Sequence, residues 1–234
     1  SYSNSINELI IKYLESKLKL IKITFPKQCL DIRFWNWKKY DNRVLYTYTA
    51  SVSDTEALIS KFDSDIKRRA KKAKELTYKF CSDNSDIHIS DFFSLQNKTM
   101  EKQQHKFPLS ETTFIDIMRY MMRNDVAKIY TIYFEDTPVA SCVVLLDKSK
   151  AYYWLAGSDP EYLKLGFNQL LFVKMIEQIS ALGVQYFDFV GANTPSIARY
   201  KSTFNMNLQP YFQIEKKLGI LKSYFALKKY VTKQ

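Results

Sequence analysis

Apolar positions along this chain fall into two rhythms, one spaced for helices and one in short runs of strand length. In "INELIIKYLESKLK" Ile6, Leu9, Ile10, Tyr13 and Leu14 recur at helical spacing, which predicts a helix. "LKLIKITF" follows as a strand stopped by Pro26, and "VLYTYTA" is a second strand rich in β-branched and aromatic residues. In "SDTE", Ser53 and Glu56 have capping-box spacing and open a short helix. A further helix, "DSDIKRRAKKAKEL", leads to the strand "TYKFCS". Two amphipathic helices, "SDFFSLQNKTMEKQ" and "SETTFIDIMRYMMRN", lie around a break at Pro108. Then comes a meander of "AKIYTIYFE", "VASCVVLL" and "AYYWLAG", joined by the turns "DTP" and "DKSK". The helix "NQLLFVKMIEQISAL" runs through Gly183 into the strand "VQYFDFV". Thr194 and Pro195 open the next helix as N-cap and first-turn residue. A strand, "LQPYFQIEK", and a basic amphipathic helix, "LGILKSYFALKKYVTK", complete the chain. An antiparallel meander followed by a strand–helix–strand crossover predicts an α+β fold, a mixed but mostly antiparallel sheet flanked by helices.

Composition narrows the chemistry. A hydrophobic content of 46%, with 15% aromatic residues, over 234 positions excludes a disordered chain. The longest apolar runs, such as "ASCVVLL", are too short to span a bilayer, and no secretory apolar region opens the sequence. The chain starts at Ser1 rather than at methionine, and a preceding segment is expected. Cys29, Cys81 and Cys142 are far apart and fit no metal or redox spacing, which suits a reducing, cytoplasmic setting. The two histidines, His88 and His105, both sit in polar surroundings, against a histidine metal site or a Ser-His-Asp triad; no metal is expected. No phosphate-binding glycine motif is present, and five glycines leave little room for one. Catalysis, if any, falls to lysine, acids, tyrosines and backbone donors. The net charge of +11 points to an anionic partner: nucleic acid, nucleotide, phospholipid or pyrophosphate. The alternative is surface lysine that only solubilises.

The stretch "DFVGANTPSIARYKSTFN" concentrates the candidate chemistry. Lys201 sits between Tyr200 and Phe204; without a site it would lay its stem on those rings and reach water with its head. Asp188 ends a strand just before the loop, where α/β-type sites collect polar groups. It can hold an amine or orient Lys201, or it can bind a loop amide. In the basic helix, Ile66, Ala70, Ala73 and Leu76 would face the sheet, leaving Lys67, Arg68, Lys71, Lys72 and Lys74 around the remaining face. Arginine suits bidentate phosphate contact and lysine acts as a point charge, but such runs are also ordinary solvated faces. Of Tyr152, Tyr153 and Trp154, alternate members face opposite sides of a strand, so one is expected to line a groove. Tyr162, after the turn "GSDPE", is the more exposed candidate.

Four stretches, in order over residues 44–215, resemble the FemABX-type peptidyltransferases, a branch of the GNAT acyltransferase fold. "SDIKRRAKKAKE" is similar to that family's basic helix, and "YYWLAGSDPEYLKLGFNQLL" to its strand, tyrosine turn and following helix. "GVQYFDFVG" resembles its strand ending F-D-F-x-G. "IARYKSTFN" resembles its F-K-x-x-F-G, with Tyr200 for Phe and Asn205 for Gly; Asn, like Gly, tolerates a left-handed backbone. Residues 1–50 resemble the end of a first GNAT-like unit, and residues 51–234 the transferase unit proper.

The resemblance implies a GNAT-like fold and transfer of an aminoacyl group from charged tRNA to an amine, typically on a peptidoglycan or other cell-envelope precursor. Relatives use acyl-CoA, so the implied donor is aminoacyl-tRNA or acyl-CoA, with no tightly bound cofactor. By motif position Lys201 would stabilise the oxyanion, with Asp188 beside it. Arg68 or Arg69, with Lys72, would lie near the acceptor's phosphates, and Tyr153, Tyr162 and Tyr200 would line the substrate groove. In conventional CoA-dependent relatives [RQ]-x-x-G-x-[GA] opens the long helix so that its amides meet the pyrophosphate. Here the window is "LKLGFN": Leu163 stands where Arg or Gln is usual, Gly166 is kept, and Asn168 replaces the small residue. The implied partners are an anionic small-molecule or lipid-linked acceptor, tRNA, and peripheral contact of the basic C-terminal helix with the inner face of the membrane. Two alternatives stand beside this: a CoA-dependent N-acetyltransferase on the same fold, and a non-catalytic module binding RNA or anionic lipid.

Overall fold

Period-two and period-3.6 segments alternate in the structure much as in the sequence. The structure, a computed structural model, describes residues 2–82 and 85–219. In chain order its elements are α1 (Tyr2–Lys17), β1 (Leu20–Thr24), α2 (Arg33–Trp37), β2 (Asp41–Ser51), α3 (Thr55–Ser60), α4 (Ser64–Lys74), β3 (Tyr78–Cys81), α5 (Asp86–Lys102), α6 (Glu111–Arg123), β4 (Ala127–Phe134), β5 (Thr137–Asp147) and β6 (Lys150–Ser158). A 3-10 turn (Pro160–Leu165) then precedes α7 (Phe167–Ala181), β7 (Tyr186–Asp188), α8 (Pro195–Ser202) and β8 (Asn207–Lys217). The basic C-terminal helix expected over 218–233 lies, from residue 220 onward, outside the described residues. Among the described residues no helix is long and apolar enough to cross a membrane.

The chain divides into two units, one of residues 47–208 and one of residues 1–46 with those from 209 onward. In the larger unit the strand order is β2-β7-β6-β5-β4-β3. Neighbours are antiparallel except β6 and β7, which run parallel at the end of the α7 crossover. Alternation along the strands splits the core in two. Tyr130, Ile132, Cys142 and Val144 pack with α7, whereas Ile129 and Val143 point to the opposite face, against Phe92, Phe93 and Phe114 of α5 and α6. The expected α+β arrangement is present: a mixed, mostly antiparallel sheet with helices on both faces. In the smaller unit β1 and β8 pair antiparallel from Leu20↔Lys217 to Thr24↔Gln213, over a core of Ile11, Ile21, Phe34, Trp35, Tyr40 and Ile214.

Several local expectations change. Asp54, not Ser53, caps α3, accepting from the Ala57 amide at 2.9 Å. His88 is buried, its ring 5.7 Å from that of Tyr133 and its Nδ1 3.2 Å from the Ser85 hydroxyl. The aromatic run Arg33–Trp37 forms α2, which no apolar periodicity announces in five residues. The strand expected over "VQYFDFV" is only Tyr186–Asp188, because β7 leaves its neighbour at Phe189.

Candidate active site

The site begins where two parallel strands part. β6 pairs with β7 only from Lys150↔Tyr186 to Tyr152↔Asp188, after which β6 runs on to Ser158 without it. At the same point the β5–β6 register slips: Tyr153 faces Val144 and Leu155 faces Val143, leaving Trp154 without a partner in β5. A bulge of this kind turns a strand and frees its backbone from the ladder. The resulting cleft has a volume of about 450 Å³. Its walls are the bulged half of β6, the first turns of α7 (Asn168, Leu171), the loop after β7 (Val190–Thr194) and α8 (Ile197, Tyr200, Lys201).

α5 holds the β6 wall in place. A Cβ on Gly157 would lie 2.5 Å from the Gln96 amide nitrogen, so only glycine lets the helix cross so close. The Ser158 amide donates to Thr99 Oγ1 at 2.9 Å, and Lys98 Nζ stands 2.6 Å from Asp159 Oδ2. Asp159 is buried and also caps the 3-10 turn through the Glu161 amide at 3.0 Å. Burial alone would raise its carboxyl pKa, but Lys98 and that amide outweigh it and hold the group below the usual range.

The opposite wall is an unusual turn. Val190 has φ +51° and Gly191 φ +84°; the left-handed region is costly for a β-branched residue. Polar groups fix the turn from both sides. Asp188 Oδ1 accepts from the Val190 amide at 2.9 Å and from the Thr47 hydroxyl at 2.6 Å, while Thr47 Oγ1 accepts from the Gly191 amide at 3.2 Å. From the carbonyl side, Lys201 Nζ donates to Phe189 O at 2.5 Å, Gly191 O at 2.7 Å and Val190 O at 3.3 Å. An ammonium has three hydrogens, and three carbonyls converge on this one.

Burial draws the Lys201 ammonium down to about 8, the Asp188 carboxylate opposing that shift. Its nitrogen lies 5.1 Å from the centre of the Phe189 ring, so Phe189, not Phe204, is the aromatic beside it. Phe204 is instead fully buried, 4.3 Å from Phe172 and 5.1 Å from Phe62 by ring centres, and anchors α8 in the core. Asn205 takes the left-handed backbone its place in the motif implied (φ +48°) and donates to Lys61 O and Asp63 Oδ1, both at 2.8 Å.

Of the residues singled out from sequence, the cleft brings together Lys201, Tyr153, Tyr200 and Asn168. Tyr153 packs its ring on Phe172 and Phe189, and burial holds its phenol well above the usual range, so it is neutral. Asp188 stands behind the turn and does not line the cleft. Tyr162 is half-buried against Phe134 and lies outside it. Arg68 and Arg69 are both engaged by Asp65, Arg69 at 2.7 Å, and with Lys72 they lie on α4, away from the cleft lining. Lys71, Lys72 and Lys74 are exposed on that helix, whose Ala70 and Ala73 are buried as it packs on α7. Gly166 has φ +90°, and a Cβ there would lie 2.4 Å from the Arg69 carbonyl oxygen. Close approach of α4 therefore accounts for this glycine.

Sequence reasoning missed Thr47, the three turn carbonyls and the bulge at Trp154. Thr47 is 141 residues from Asp188 in the chain, and nothing local marks it. Gly191 after an apolar strand and Asp188, able to bind a loop amide, were the signals of the turn. Among the described residues no group of three or more His, Cys, Asp or Glu is placed to hold a metal.

The chain compares directly with known proteins. A family model described as "Acetyltransferase (GNAT) domain" matches residues 60–202. FemX is similar in structure, with a TM-score of 0.74 at 10% identity, over 96% of this chain and 78% of that one. L-PGS from Bacillus licheniformis gives 0.67 at 10% identity, over 96% and 76%. The tandem GNAT protein from the clavulanic acid biosynthesis pathway gives 0.58 at 10% identity, over 92% and 68%. No curated protein sequence matches. At these identities the structural likeness is one of fold, whereas the family match covers more than half of the sequence. The chain belongs to the GNAT acetyltransferase family.

Proposed function

We propose that the protein is an N-acyltransferase that moves an acyl group from an activated thioester or ester onto an amine, in the cleft where β6 and β7 part. The observation that carries this reading is the position of Lys201. Among the residues lining the cleft it is the one charged side chain, and three carbonyls of the neighbouring turn hold it in place.

The amine nitrogen attacks the acyl carbon, and the carbonyl oxygen takes on negative charge. The C–S or C–O bond of the donor then breaks, and the proton lost by the amine ends on the departing sulfur or oxygen. Of the three Lys201 hydrogen bonds, that to Val190 O is the longest at 3.3 Å, so its hydrogen is the one a developing oxyanion can capture. A preorganised donor of this kind contributes about 10²–10³ in rate. The Trp154 bulge lies on the facing wall, where an amide released from the ladder would serve as a second donor. Asp188 contributes indirectly: it fixes the turn through the Val190 amide and its charge favours the ammonium form of Lys201.

An anionic acceptor suits the net charge of +11 and the exposed Lys71, Lys72 and Lys74. With Arg68 and Arg69 turned to Asp65, phosphate recognition on α4 falls first to those lysines. For the donor, the "LKLGFN" window argues little for CoA, since packing explains Gly166 and only Asn168 of the window reaches the cleft.

Calorimetric titration with CoA and acetyl-CoA at moderate salt tests the donor. Micromolar binding assigns a thioester. No binding by a folded sample, together with transfer from charged tRNA, assigns an aminoacyl ester. Failure of both overturns the enzymatic reading in favour of a module that binds RNA or anionic lipid, with steep salt dependence and indifference to Lys201→Ala.

A further inference from the structure

Resting on that transfer reading, we infer that the acyl group entering the β6–β7 cleft is uncharged and apolar, and that the cleft rejects groups carrying an ammonium. The residues that line it, all of them described, include no aspartate or glutamate. Their one ionic group is itself an ammonium, Lys201. The carbonyls best placed to receive a second ammonium, those of Phe189, Val190 and Gly191, are already bound to Lys201. The two nearby carboxylates are turned away from the cleft. Asp188 takes the Thr47 hydroxyl and the Val190 amide, and Asp159 takes Lys98 and the Glu161 amide.

Apart from neutral polar groups such as Asn168, Asn193 and Thr194, what the cleft offers is apolar surface: Trp154, Leu155, Leu171, Ile197 and the rings of Tyr153 and Tyr200. A cationic group placed here meets a like charge in a partly desolvated site whose lining holds no carboxylate, whereas an alkyl chain exchanges water for side-chain contact. The volume of about 450 Å³ has to take the attacking amine as well as the acyl group, and it leaves room for a chain longer than acetyl. An acyl group with a free α-ammonium, as an aminoacyl ester carries, is disfavoured by the same argument.

The test needs neither donor nor acceptor. Hexanamide and 6-aminohexanamide share a chain length and differ by one ammonium; each is titrated into the full chain labelled with ¹⁵N, at pH 6.5. Hexanamide is expected to move the amide signals of Trp154, Leu171 and Ile197, and 6-aminohexanamide to bind at least tenfold more weakly. The exposed position Ile197 allows a gain-of-function control, Ile197→Asp, which places a carboxylate on the wall and is expected to narrow or reverse the preference. Equal or tighter binding of the cationic amide by the wild type overturns the inference. So does a preference unchanged in Ile197→Asp, or the absence of hexanamide shifts at the cleft. Hexanamide selectivity in a protein that transfers nothing from thioester or aminoacyl ester would instead count against the enzymatic reading alone.

Discussion

The ammonium nitrogen of Lys201 stands 2.7 Å from the carbonyl oxygen of Gly191, ten positions back along the chain. With the Phe189 and Val190 carbonyls it completes a cap over a left-handed turn that sterics alone would disfavour. Lys201→Met keeps the apolar stem but leaves those oxygens without their donor. It is expected to destabilise the fold by about 1–3 kcal/mol in urea or guanidinium unfolding. Lys201→Arg is expected to recover little of this, because a planar fork cannot meet three converging acceptors as a compact ammonium does. Full stability in Lys201→Met would mean the turn holds itself.

Thr47 closes the other side of the same turn. Its side chain is buried, donating to Asp188 and accepting from the Gly191 amide. Thr47→Val preserves shape and removes both bonds, and should cost about 1–2 kcal/mol of unfolding free energy. A neutral result would show that the turn does not depend on that hydroxyl.

The pH dependence follows from Lys201. Its ammonium is drawn down to about 8 in the folded protein, whereas an unfolded lysine titrates near ~10.4. Between these values the unfolded chain binds more protons than the folded one, so the Lys201 contribution to stability rises with pH across that window. The ammonium form prevails below it. A rate that needs the ammonium should therefore fall as pH passes about 8. Because the Asp188 carboxylate favours the charged form, Asp188→Asn should move that alkaline limb to lower pH. An identical limb in Lys201→Met would assign the titration to another group.

Two glycines with the same backbone sign separate conformational strain from close packing. Gly166 (φ +90°) faces the Arg69 carbonyl, 2.4 Å from where a Cβ would sit, whereas Gly183 (φ +83°) has nothing within 4 Å. Gly183→Ala should cost about 1 kcal/mol, the left-handed strain alone. Gly166→Ala adds displacement of the α4 backbone and should cost at least about 1–3 kcal/mol more. Equal losses would mean that α4 yields freely.

Much of the fold was legible because long elements carry strong patterns. α4, α6, α7 and the β4–β6 meander fall within a few residues of where periodicity puts them. Short or irregular pieces were not: α2 has five residues and β7 three, too few for any period to show. The site divides along the same line. Lys201, Tyr153, Tyr200 and Asn168 sit in motifs whose chain neighbours flag them. The acceptors that fix Lys201 are backbone carbonyls, which carry no sequence signature, and Thr47 reaches the turn from 141 residues away. The charge run on α4 showed which face is basic, but not that Asp65, one turn earlier, occupies both arginines.

The central claim is that the cleft between β6 and β7 performs acyl transfer with Lys201 at the developing oxyanion. The most direct measurement is amide formation on a small primary amine from an acyl thioester and from an aminoacyl ester, comparing wild type with Lys201→Met under conditions where both remain folded. Product is expected from at least one donor, at a rate about 10²–10³ lower in the variant with KM little changed. Equal rates in the two proteins, or no transfer from either donor by the wild type, would contradict it.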